Sequence, residues 1–367
     1  MSQLKPMISI VIPCYNQGRF LPEAVDSVTT CNFPTQVIVV DDGSTDDSAA
    51  IADSLSSVTL IRQENRGLAA ARNRGLTAAL GEFVIFLDAD DRLLPGGVDA
   101  GANALTAHPD CALAYGRCVM MGPDGAFWPT PEQPVVLADH YGAMLRSNRI
   151  WTPAMAIFRR EAVENAGGFR RGSESAADYD LYLRIAREQP IHDHGECVAA
   201  YRKHASSMSG NLGRIMRDTL AVLRRHRAAA REDSQLDAWH AGYAMFQDFY
   251  GTQLTEQIRA HVHAHEWGAA IRKALTLAWL APAVFAREAR RKLRTIYAGR
   301  AMPAAEISAA SVRADAGSGN LCSSAGATAA HTTVCANASV ARNSTLKPAV
   351  FNSDSRQLGV KPQNQLP

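Results

Sequence analysis

The sequence predicts an α/β protein whose mostly parallel sheet is flanked by helices and followed by a helical C-terminal extension. Short runs of β-branched and apolar residues alternate with segments of helical periodicity from residue 7 to about residue 100. Strands that alternate with helices in this way form parallel sheets with right-handed crossovers. After residue 212 the periodicity is helical throughout, and this change of pattern predicts the extension.

Each element of the first half follows from its own residue pattern. Runs of apolar and β-branched residues predict buried strands at residues 7–12, 37–40, 58–61 and 83–87. Helical spacing predicts helices at residues 20–28, with Pro22 in the first turn, from the turn at residues 43–46 through Leu55, and at residues 68–80.

The second half of the predicted sheet is less regular. A helix after Pro95 leads to a strand at residues 112–115, and the Pro- and Gly-rich residues 122–134 predict a loop. A short strand is predicted at residues 155–158. Residues 178–187 predict an amphipathic helix with Leu181, Tyr182 and Ile185 on one side.

Composition divides the chain into three predicted regions. Residues 1–210 form the α/β domain, and residues 211–300 form the helical extension. Residues 301–367 are rich in Ala, Ser, Asn, Thr and Gly with little periodicity, which is typical of a disordered tail.

Bulk composition excludes several classes of protein. The net charge of +2 gives no general case for nucleic acid binding, and the seven scattered cysteines include no CxxC pair for a zinc site. The first residues lack a signal-peptide pattern, and the longest uncharged apolar stretch, residues 274–286, is too short to span a bilayer. We expect a cytoplasmic protein that lies at most peripherally on the inner face of a membrane.

The most informative feature is the predicted strand at residues 83–87, which runs directly into Asp88, Asp90 and Asp91. Ligands bind beyond the carboxyl ends of parallel strands, and Mg²⁺ or Mn²⁺ takes carboxylate and phosphate oxygens together. The run therefore predicts a metal-diphosphate site. Taken alone, it fits equally well an acidic turn that caps the next helix.

Five motifs occur in order along the chain and together identify a family. They are Ile12-Pro13-Cys14-Tyr15-Asn16, Val40-Asp41-Asp42-Gly43-Ser44, Asn65-Arg66-Gly67 with Ala71-Arg72-Asn73, Leu87-Asp88-Ala89-Asp90-Asp91, and Gly167-Gly168-Phe169 followed by Ala177-Asp178-Tyr179-Asp180-Leu181. From residue 7 to residue 209 the chain resembles the family 2 glycosyltransferases, which have the Rossmann-like GT-A fold. The resemblance implies an inverting transfer of a sugar from a nucleoside-diphosphate sugar to a hydroxyl acceptor.

The same resemblance implies roles for individual residues. The nucleotide sugar would be bound by Pro13, Tyr15, Asn16, Asp42, Arg72, Asp88 and Asp90. A divalent cation, Mn²⁺ or Mg²⁺, would be held by Asp90, Asp88 and His204, the last within the Tyr201-Arg202-Lys203-His204 segment. Asp178 would be the catalytic base. The family usually has Glu-Asp at this point, whereas this chain has Ala177 before Asp178. The donor nucleotide is not readable, and UDP is taken as the commonest choice.

The chemistry requires such residues whatever the family. The diphosphate leaving group needs a cation, the acceptor needs a fixed position, and its hydroxyl needs a base. Asp178 is predicted at a helix N-terminus, which favours its ionised form. Structural readings remain for several candidates: a turn residue for Asp42, an N-cap for Asp178, a solvated helix face for Arg72, a surface histidine for His204, and a solvated or capping residue for Asp180.

The extension carries a basic and aromatic pattern. Trp267, Leu275, Trp279 and Phe285 are flanked by Arg272, Lys273, Arg287, Arg290, Arg291, Lys292 and Arg294. This pattern suits an anionic membrane surface and a lipid-linked glycan acceptor, and it equally suits helices that pack on the α/β domain. Pro282 should end or kink a helix here.

Two other functions compete with a glycosyltransferase of polysaccharide or glycoconjugate biosynthesis. A non-catalytic nucleotide-binding scaffold derived from such an enzyme is consistent with Ala177. A nucleotidyltransferase also joins a nucleotide-binding sheet to acidic metal ligands, but its Gly-rich, Lys-containing loop after the first strand is not found in Pro13-Cys14-Tyr15-Asn16.

Overall fold

A computed structural model describes residues 7–28, 31–204, 207 and 210–300, with side chains described to residue 294. The predicted disordered tail at residues 301–367 lies outside the described residues. Of the described residues, 7–289 belong to one compact unit and 290–300 to a second. The fold described below is that of the first unit, and residues 290–300 enter only as the end of the last helix.

One half of the sheet is parallel, as the sequence predicts. Its strands are β1 (Ile8–Cys14), β2 (Thr35–Asp41), β3 (Val58–Arg62) and β4 (Phe83–Phe86), paired in the order β3-β2-β1-β4. Helices α1 (Leu21–Asp26), α2 (Ser48–Ser54) and α3 (Leu68–Ala78) connect them. β1 and β4 are buried at every residue, which explains why they are apolar apart from Ser9, whose hydroxyl donates a hydrogen bond to Gln36.

The other half of the sheet mixes strand directions. Beyond β4 the order continues through β8 (Ala156–Arg159), β6 (Leu113–Met121), β9 (Ile191–Arg202) and β5 (Arg92–Leu93), with β7 (Phe127–Trp128) paired to β6. β8 runs antiparallel to β4 and β6, whereas β6 and β9 are parallel. The helices in this half are α4 (Gly97–Ala107), α5 (His140–Arg146), α6 (Arg160–Asn165) and α7 (Ala177–Glu188).

Two sequence-based predictions in this half need correction. The expected loop at residues 122–134 contains the two-residue strand β7, because Phe127 and Trp128 pair with the end of β6. The predicted amphipathic helix is α7, but it is buried on nearly all sides, including Asp180 and Arg184. These two charges pair with each other, so the helix carries a buried polar contact that apolar periodicity does not detect.

The extension is helical, as predicted. It consists of α8 (Leu212–Arg227), α9 (Asp233–His263), α10 (Trp267–Leu280) and α11 (Pro282–Arg300). Pro282 begins α11 directly after α10 ends, which confirms its predicted effect. α9 packs against α5, α8 and α10. Within the residues described, no helix combines the length and apolar character needed to cross a membrane.

Candidate functional site

The candidate site lies at the carboxyl edge of the parallel strands. Asp41 ends β2 and Asp42 follows it, while the Asp88–Asp91 run follows β4. Strands β1, β2 and β4 are neighbours in the sheet, so these acids emerge at the same edge. Two segments that are distant in sequence complete the site: the start of α7 and the residues after β9.

Asp42 organises the loop that leads into α3. Its carboxylate accepts hydrogen bonds from the Gln63 side chain (2.7 Å), the Arg66 backbone N–H (2.9 Å) and the Gly67 backbone N–H (2.9 Å). Gly67 has φ of 90°, a conformation that glycine adopts without strain. The buried carboxylate therefore does more than shape a turn: it links the edge of β2 to the helix that carries Arg72.

The residues after β1 form an exposed corner beside this loop. Pro13 is buried within β1, whereas the Tyr15 ring is 47% exposed. Asn16 has φ of 54°, and its side-chain oxygen accepts a hydrogen bond from the Thr45 backbone N–H at 2.8 Å. The structure thus places Asn16 as the residue that holds the loop after β2, and it leaves Tyr15 open to a ligand.

Arg72 joins the acidic run to the start of α7. Its Nη2 lies 2.6 Å from Oδ1 of Asp88, and its side chain is only 3% exposed. The guanidinium packs over the Phe169 ring at 5.1 Å, and its charge also acts on Asp178. Arg72 is therefore a buried part of the site, and the solvated-face reading from the sequence is wrong.

Asp178 is the second residue of α7, as the sequence predicts, but its electrostatics differ from expectation. Burial raises the pKa of its carboxyl, and Asp88 adds to the rise, while Arg72 and the Tyr179 backbone N–H (2.8 Å from Oδ1) lower it. The expected stabilisation of the ionised form at a helix N-terminus is outweighed by desolvation. A carboxylate with a raised pKa is a stronger base, which suits proton abstraction.

Asp90 and His204 form the second contact that the sequence predicts. Nε2 of His204 lies 2.8 Å from Oδ2 of Asp90, and the imidazole side chain is 2% exposed. The Phe20 ring packs against it with 5.0 Å between ring centroids. His204 is consequently not a surface histidine, because its ring is held between an aromatic side chain and the acidic run.

Asp91 differs from its neighbours because it points into the protein. Its carboxylate accepts hydrogen bonds from Thr152 Oγ1 (2.6 Å) and the Arg202 backbone N–H (2.9 Å). Burial raises the pKa of Asp91 well above its usual value, and the charges of Asp90 and Asp88 raise it further. Asp91 therefore anchors the end of β9 to the acidic run and leaves Asp88 and Asp90 for ligands.

The donor set around Asp90 fits a divalent cation. Among the described residues no group of three or more His, Cys, Asp or Glu side chains is arranged to hold a metal. Asp90 and His204 supply one oxygen and one nitrogen side by side, while Asp88 is engaged by Arg72. Two protein donors are sufficient where a diphosphate and water supply the others, which is the usual arrangement for Mg²⁺ at phosphates.

Three residues that support the site, Arg202, Glu23 and Glu174, were not predicted from the sequence. Buried Arg202 donates from Nε to the Asp90 carbonyl oxygen (2.7 Å) and forms an ion pair with Glu23. Glu174 accepts a hydrogen bond from the Ala69 backbone N–H at the start of α3 (3.0 Å). These contacts join segments separated by about a hundred residues or more, so no local pattern marks them.

Asp180 also differs from its sequence-based reading. It is fully buried, with Arg184 Nε 2.8 Å and Arg225 Nη2 3.2 Å from its carboxylate. The residue is therefore a structural ion-pair partner that ties α7 to α8. The alternative of a solvated acid is wrong.

Comparison with known proteins identifies the region that contains this site. Residues 9–167 match the family model described as Glycosyl transferase family 2. The matched span includes Asp42, Arg72, Asp88 and Asp90, and it ends before Asp178 and His204.

Individual relatives agree with this match. An uncharacterized glycosyltransferase of Haemophilus influenzae is 29% identical over 188 residues, which are 50% of this chain and 63% of the relative. A putative teichuronic acid biosynthesis glycosyltransferase of Bacillus subtilis is 27% identical over 235 residues, 61% of this chain and 90% of the relative. This chain thus spans less than two-thirds of the Haemophilus protein.

A solved structure supports the fold. The mannosyltransferase of Pyrobaculum calidifontis, solved in complex with GDP-Man and Mn²⁺, is similar with a TM-score of 0.52 and 21% identity. The likeness covers 79% of this chain and 88% of that one. The predicted GT-A architecture, with its helical C-terminal region, is confirmed.

Proposed function

Because residues 9–167 match the model of Glycosyl transferase family 2, we propose that the chain transfers a sugar from a nucleoside-diphosphate sugar to a hydroxyl acceptor. The observation that carries the proposal is the contact of Arg72 with Asp88, since the same guanidinium acts on Asp178. One buried cation thus connects the candidate donor site with the candidate base. Asp88 and Asp178 would otherwise repel each other across the site.

The transfer assigns a separate task to each group. The Asp178 carboxylate accepts the proton of the acceptor hydroxyl as that oxygen bonds to the anomeric carbon. The bond from this carbon to the diphosphate breaks on the opposite face, so the configuration inverts. A positioned base of this kind contributes about 10²–10⁴-fold to the rate.

The acidic run Asp88–Asp91 is proposed to act on the diphosphate leaving group. We propose that Asp90 and His204 hold a divalent cation, with Asp88 beside them, because their donor atoms already lie in contact. When bound, Mn²⁺ or Mg²⁺ neutralises the charge that develops on the diphosphate. Arg202 keeps the backbone of Asp90 in place through its 2.7 Å hydrogen bond.

The nucleotide is expected at the corner after β1. The exposed Tyr15 ring offers a surface on which a base can stack, with Pro13 at its edge. Asn16 and Asp42 fix the two neighbouring loops through backbone hydrogen bonds. Since neither carries a feature selective for one base, UDP is the first donor nucleotide to test and GDP the second.

The pathway and location are part of the same proposal. We infer a role in polysaccharide or glycoconjugate biosynthesis, with a lipid-linked glycan as acceptor and a peripheral position at the inner face of a membrane. The support is the surface of α10, where several large apolar side chains are exposed beside cationic ones.

The proposal is tested by donor turnover. The protein is incubated with UDP-, GDP-, CDP- and dTDP-sugars and Mn²⁺, and release of nucleoside diphosphate is measured together with nucleotide binding by thermal shift. We expect release from one donor class, loss of release in Asp178→Asn, and an unchanged thermal shift in that variant. Release of pyrophosphate instead would indicate a nucleotidyltransferase.

A nucleotide-binding scaffold is the second candidate, because Ala177 replaces the acid usually found before the base. In this case nucleotide would stabilise the protein by mass action without any turnover. Binding without release, identical in the wild type and Asp178→Asn across all four donor classes, would favour the scaffold.

A further inference from the structure

A cavity of about 840 Å³ lies outside the site described above. It opens between the segment before α7 and helices α8, α9 and α10, and it has the size of a small-molecule pocket. The side chains that give it chemical character are Glu174, Arg214, Arg217, Asp218, Arg272 and Lys273.

The cavity carries an excess of uncompensated positive charge. Arg214, Arg217 and Arg272 form no ion pair with any residue in the described part of the chain. The two acids are otherwise engaged: Glu174 accepts from the Ala69 backbone N–H and Asp218 from the Ser175 backbone N–H (3.2 Å). Guanidinium groups bind phosphate oxygens in a bidentate manner, so the lining suits a phosphate ester.

The segment that lines one side of this cavity leads into the helix that carries the candidate base. Glu174 and Ser175 belong to a short 3₁₀ turn, Glu174–Ala176, that runs directly into α7. Asp178 is the second residue of α7, four residues after Glu174. The cavity lining at Glu174 is therefore four residues from the candidate base along the chain.

A second observation concerns the outer face of α10. Trp267, Ile271, Leu275 and Trp279 recur every four residues and are 56–67% exposed. At about 100° per residue, this spacing places them on one continuous stripe, and Arg272, Lys273 and Thr276 follow it on the adjacent, cavity-lining face. Exposed Trp and Leu next to cations are typical of helices that lie in a membrane interface.

We propose that the cavity binds the phosphate group of a lipid-anchored acceptor, while the α10 stripe lies in the bilayer interface that holds this lipid. The inference rests on the proposed glycosyl transfer and names its acceptor class. A phosphate between lipid and glycan lies at the depth of the headgroups, where the arginines beside the stripe meet it. The glycan end of the acceptor then extends past Glu174 towards Asp178.

The experiment measures co-sedimentation of the full chain with phosphatidylcholine vesicles that contain a minor fraction of phosphatidic acid or of phosphatidylglycerol. Phosphatidic acid exposes a terminal phosphate that can carry two negative charges, as the diphosphate of a lipid-linked glycan does, whereas the phosphodiester of phosphatidylglycerol carries one and is covered by its glycerol. The cavity variant is Arg214→Gln/Arg217→Gln/Arg272→Gln, and the stripe variant is Trp267→Ser/Trp279→Ser. Arg74→Gln/Arg187→Gln/Arg231→Gln removes the same charge elsewhere and serves as the matched control.

Wild type should bind phosphatidic acid vesicles more tightly than phosphatidylglycerol vesicles. Each arginine at an anionic surface contributes roughly fivefold in affinity, so the cavity variant should bind phosphatidic acid at least about tenfold more weakly. The affinity of the control variant for phosphatidic acid vesicles should decrease much less. The stripe variant should no longer bind either type of vesicle. Thermal shift by inorganic pyrophosphate in EDTA should disappear in the cavity variant and persist in the stripe variant.

Three results would overturn the proposal. If the cavity variant and the control variant bound phosphatidic acid vesicles with equal affinity, the cavity arginines would not form a phosphate site. If the stripe variant bound vesicles as tightly as the wild type, the α10 stripe would not contact the membrane. The cavity would then be a phosphate site for a water-soluble acceptor, and the lipid-anchored acceptor would be contradicted. Equal affinity of the wild type for both lipids would reduce the contact to general charge attraction.

Nucleotide binding with Mn²⁺, measured on the same samples, keeps the two proposals separate. All variants should retain it, which also shows that they are folded. If the wild type bound phosphatidic acid vesicles selectively but did not bind nucleotide with Mn²⁺, the proposed function would be contradicted. The proposed lipid contact would still be supported.

Discussion

Arg72 Nη2 lies 2.6 Å from Asp88 Oδ1, and the charge of this guanidinium opposes the burial that raises the pKa of Asp178. The residue that holds the acidic run thus also tunes the candidate base. Because Arg72 is almost fully buried, little solvent screens either interaction.

Replacing Arg72 should change the pH dependence of transfer. In Arg72→Gln the pKa of Asp178 rises further, because the charge that lowers it is gone, so the acid limb of kcat/KM moves to higher pH. Loss of one partner of a buried pair should also cost roughly 2–4 kcal/mol in free energy of unfolding, since Asp88 keeps some solvent. The pH profile and urea unfolding check both effects.

Arg72→Lys is the control for this prediction, because it keeps the charge and loses the planar fork. Its acid limb should stay close to that of the wild type even where the maximal rate falls. An unshifted limb in Arg72→Gln would show that the titrating group is not under the influence of Arg72.

The wild-type pH profile is a prediction in its own right. Asp178 must be ionised to act as a base, and its pKa lies above the usual aspartate value of 3.8. Activity should therefore fall as the pH decreases through that raised pKa, at a higher pH than an ordinary aspartate would give. A pH-rate profile at saturating donor, compared with nucleotide binding over the same range, separates the base from donor affinity.

The same shift predicts a stability effect with the opposite sign. The folded protein holds the Asp178 proton more tightly than the unfolded chain, so this group destabilises the fold as the pH rises from about 3.8 through the raised pKa. Asp178→Asn, which removes that titration, should unfold at an equal or higher temperature than wild type at neutral pH while losing transfer. A marked decrease in its Tm would indicate that Asp178 is a structural cap.

Metal dependence should follow Asp90 and His204. His204→Ala removes one of two donor atoms that lie 2.8 Å apart, and Asp90→Asn removes the negative charge and one carboxylate oxygen at the other. We expect Mn²⁺ to lose most of its enhancement of the nucleoside-diphosphate thermal shift in both variants. Thermal shifts with Mn²⁺ and with EDTA measure this, and a metal-dependent shift that survives both substitutions would place the cation elsewhere.

The parallel half of the fold could be predicted because its signals are local. Strands β1, β2 and β4 are rich in buried apolar residues, Asp42 directly follows β2, and Asp88 is the second residue after β4. The contacts that complete the site are distant in sequence: Arg202 reaches Asp90 from β9, and Arg225 reaches Asp180 from α8. The sequence around an arginine does not indicate which distant acid it will contact, so these ion pairs could be identified only from the three-dimensional structure.

Tyr182 provides a test of how the interior of the site is packed. Its hydroxyl is buried without a hydrogen-bond partner among the described residues, and burial raises its pKa well above 10, with the charge of Asp178 adding to the rise. Tyr182→Phe removes a polar atom that is already unsatisfied, so the free energy of unfolding should stay equal or increase by up to about 1 kcal/mol. Urea unfolding measures it, and a loss above about 1 kcal/mol would reveal a partner such as bound water.

Asp42→Asn should separate loop organisation from nucleotide chemistry. The carboxylate accepts three hydrogen bonds, two of them from the backbone of Arg66 and Gly67. An asparagine has one acceptor oxygen and turns an N–H₂ group towards at least one of these donors. The free energy of unfolding should therefore fall by roughly 1–3 kcal/mol.

Nucleotide affinity should fall as well, because the loop at residues 63–67 leads directly into the helix that places Arg72. Asp47→Asn is the matched control: Asp47 is exposed at the start of α2 and its side chain makes no capping hydrogen bond. Urea unfolding of both variants measures the free energy of unfolding, and nucleotide titration measures their affinity for nucleotide. If Asp42→Asn weakened nucleotide binding at unchanged stability, Asp42 would contact the nucleotide directly instead of acting through its loop.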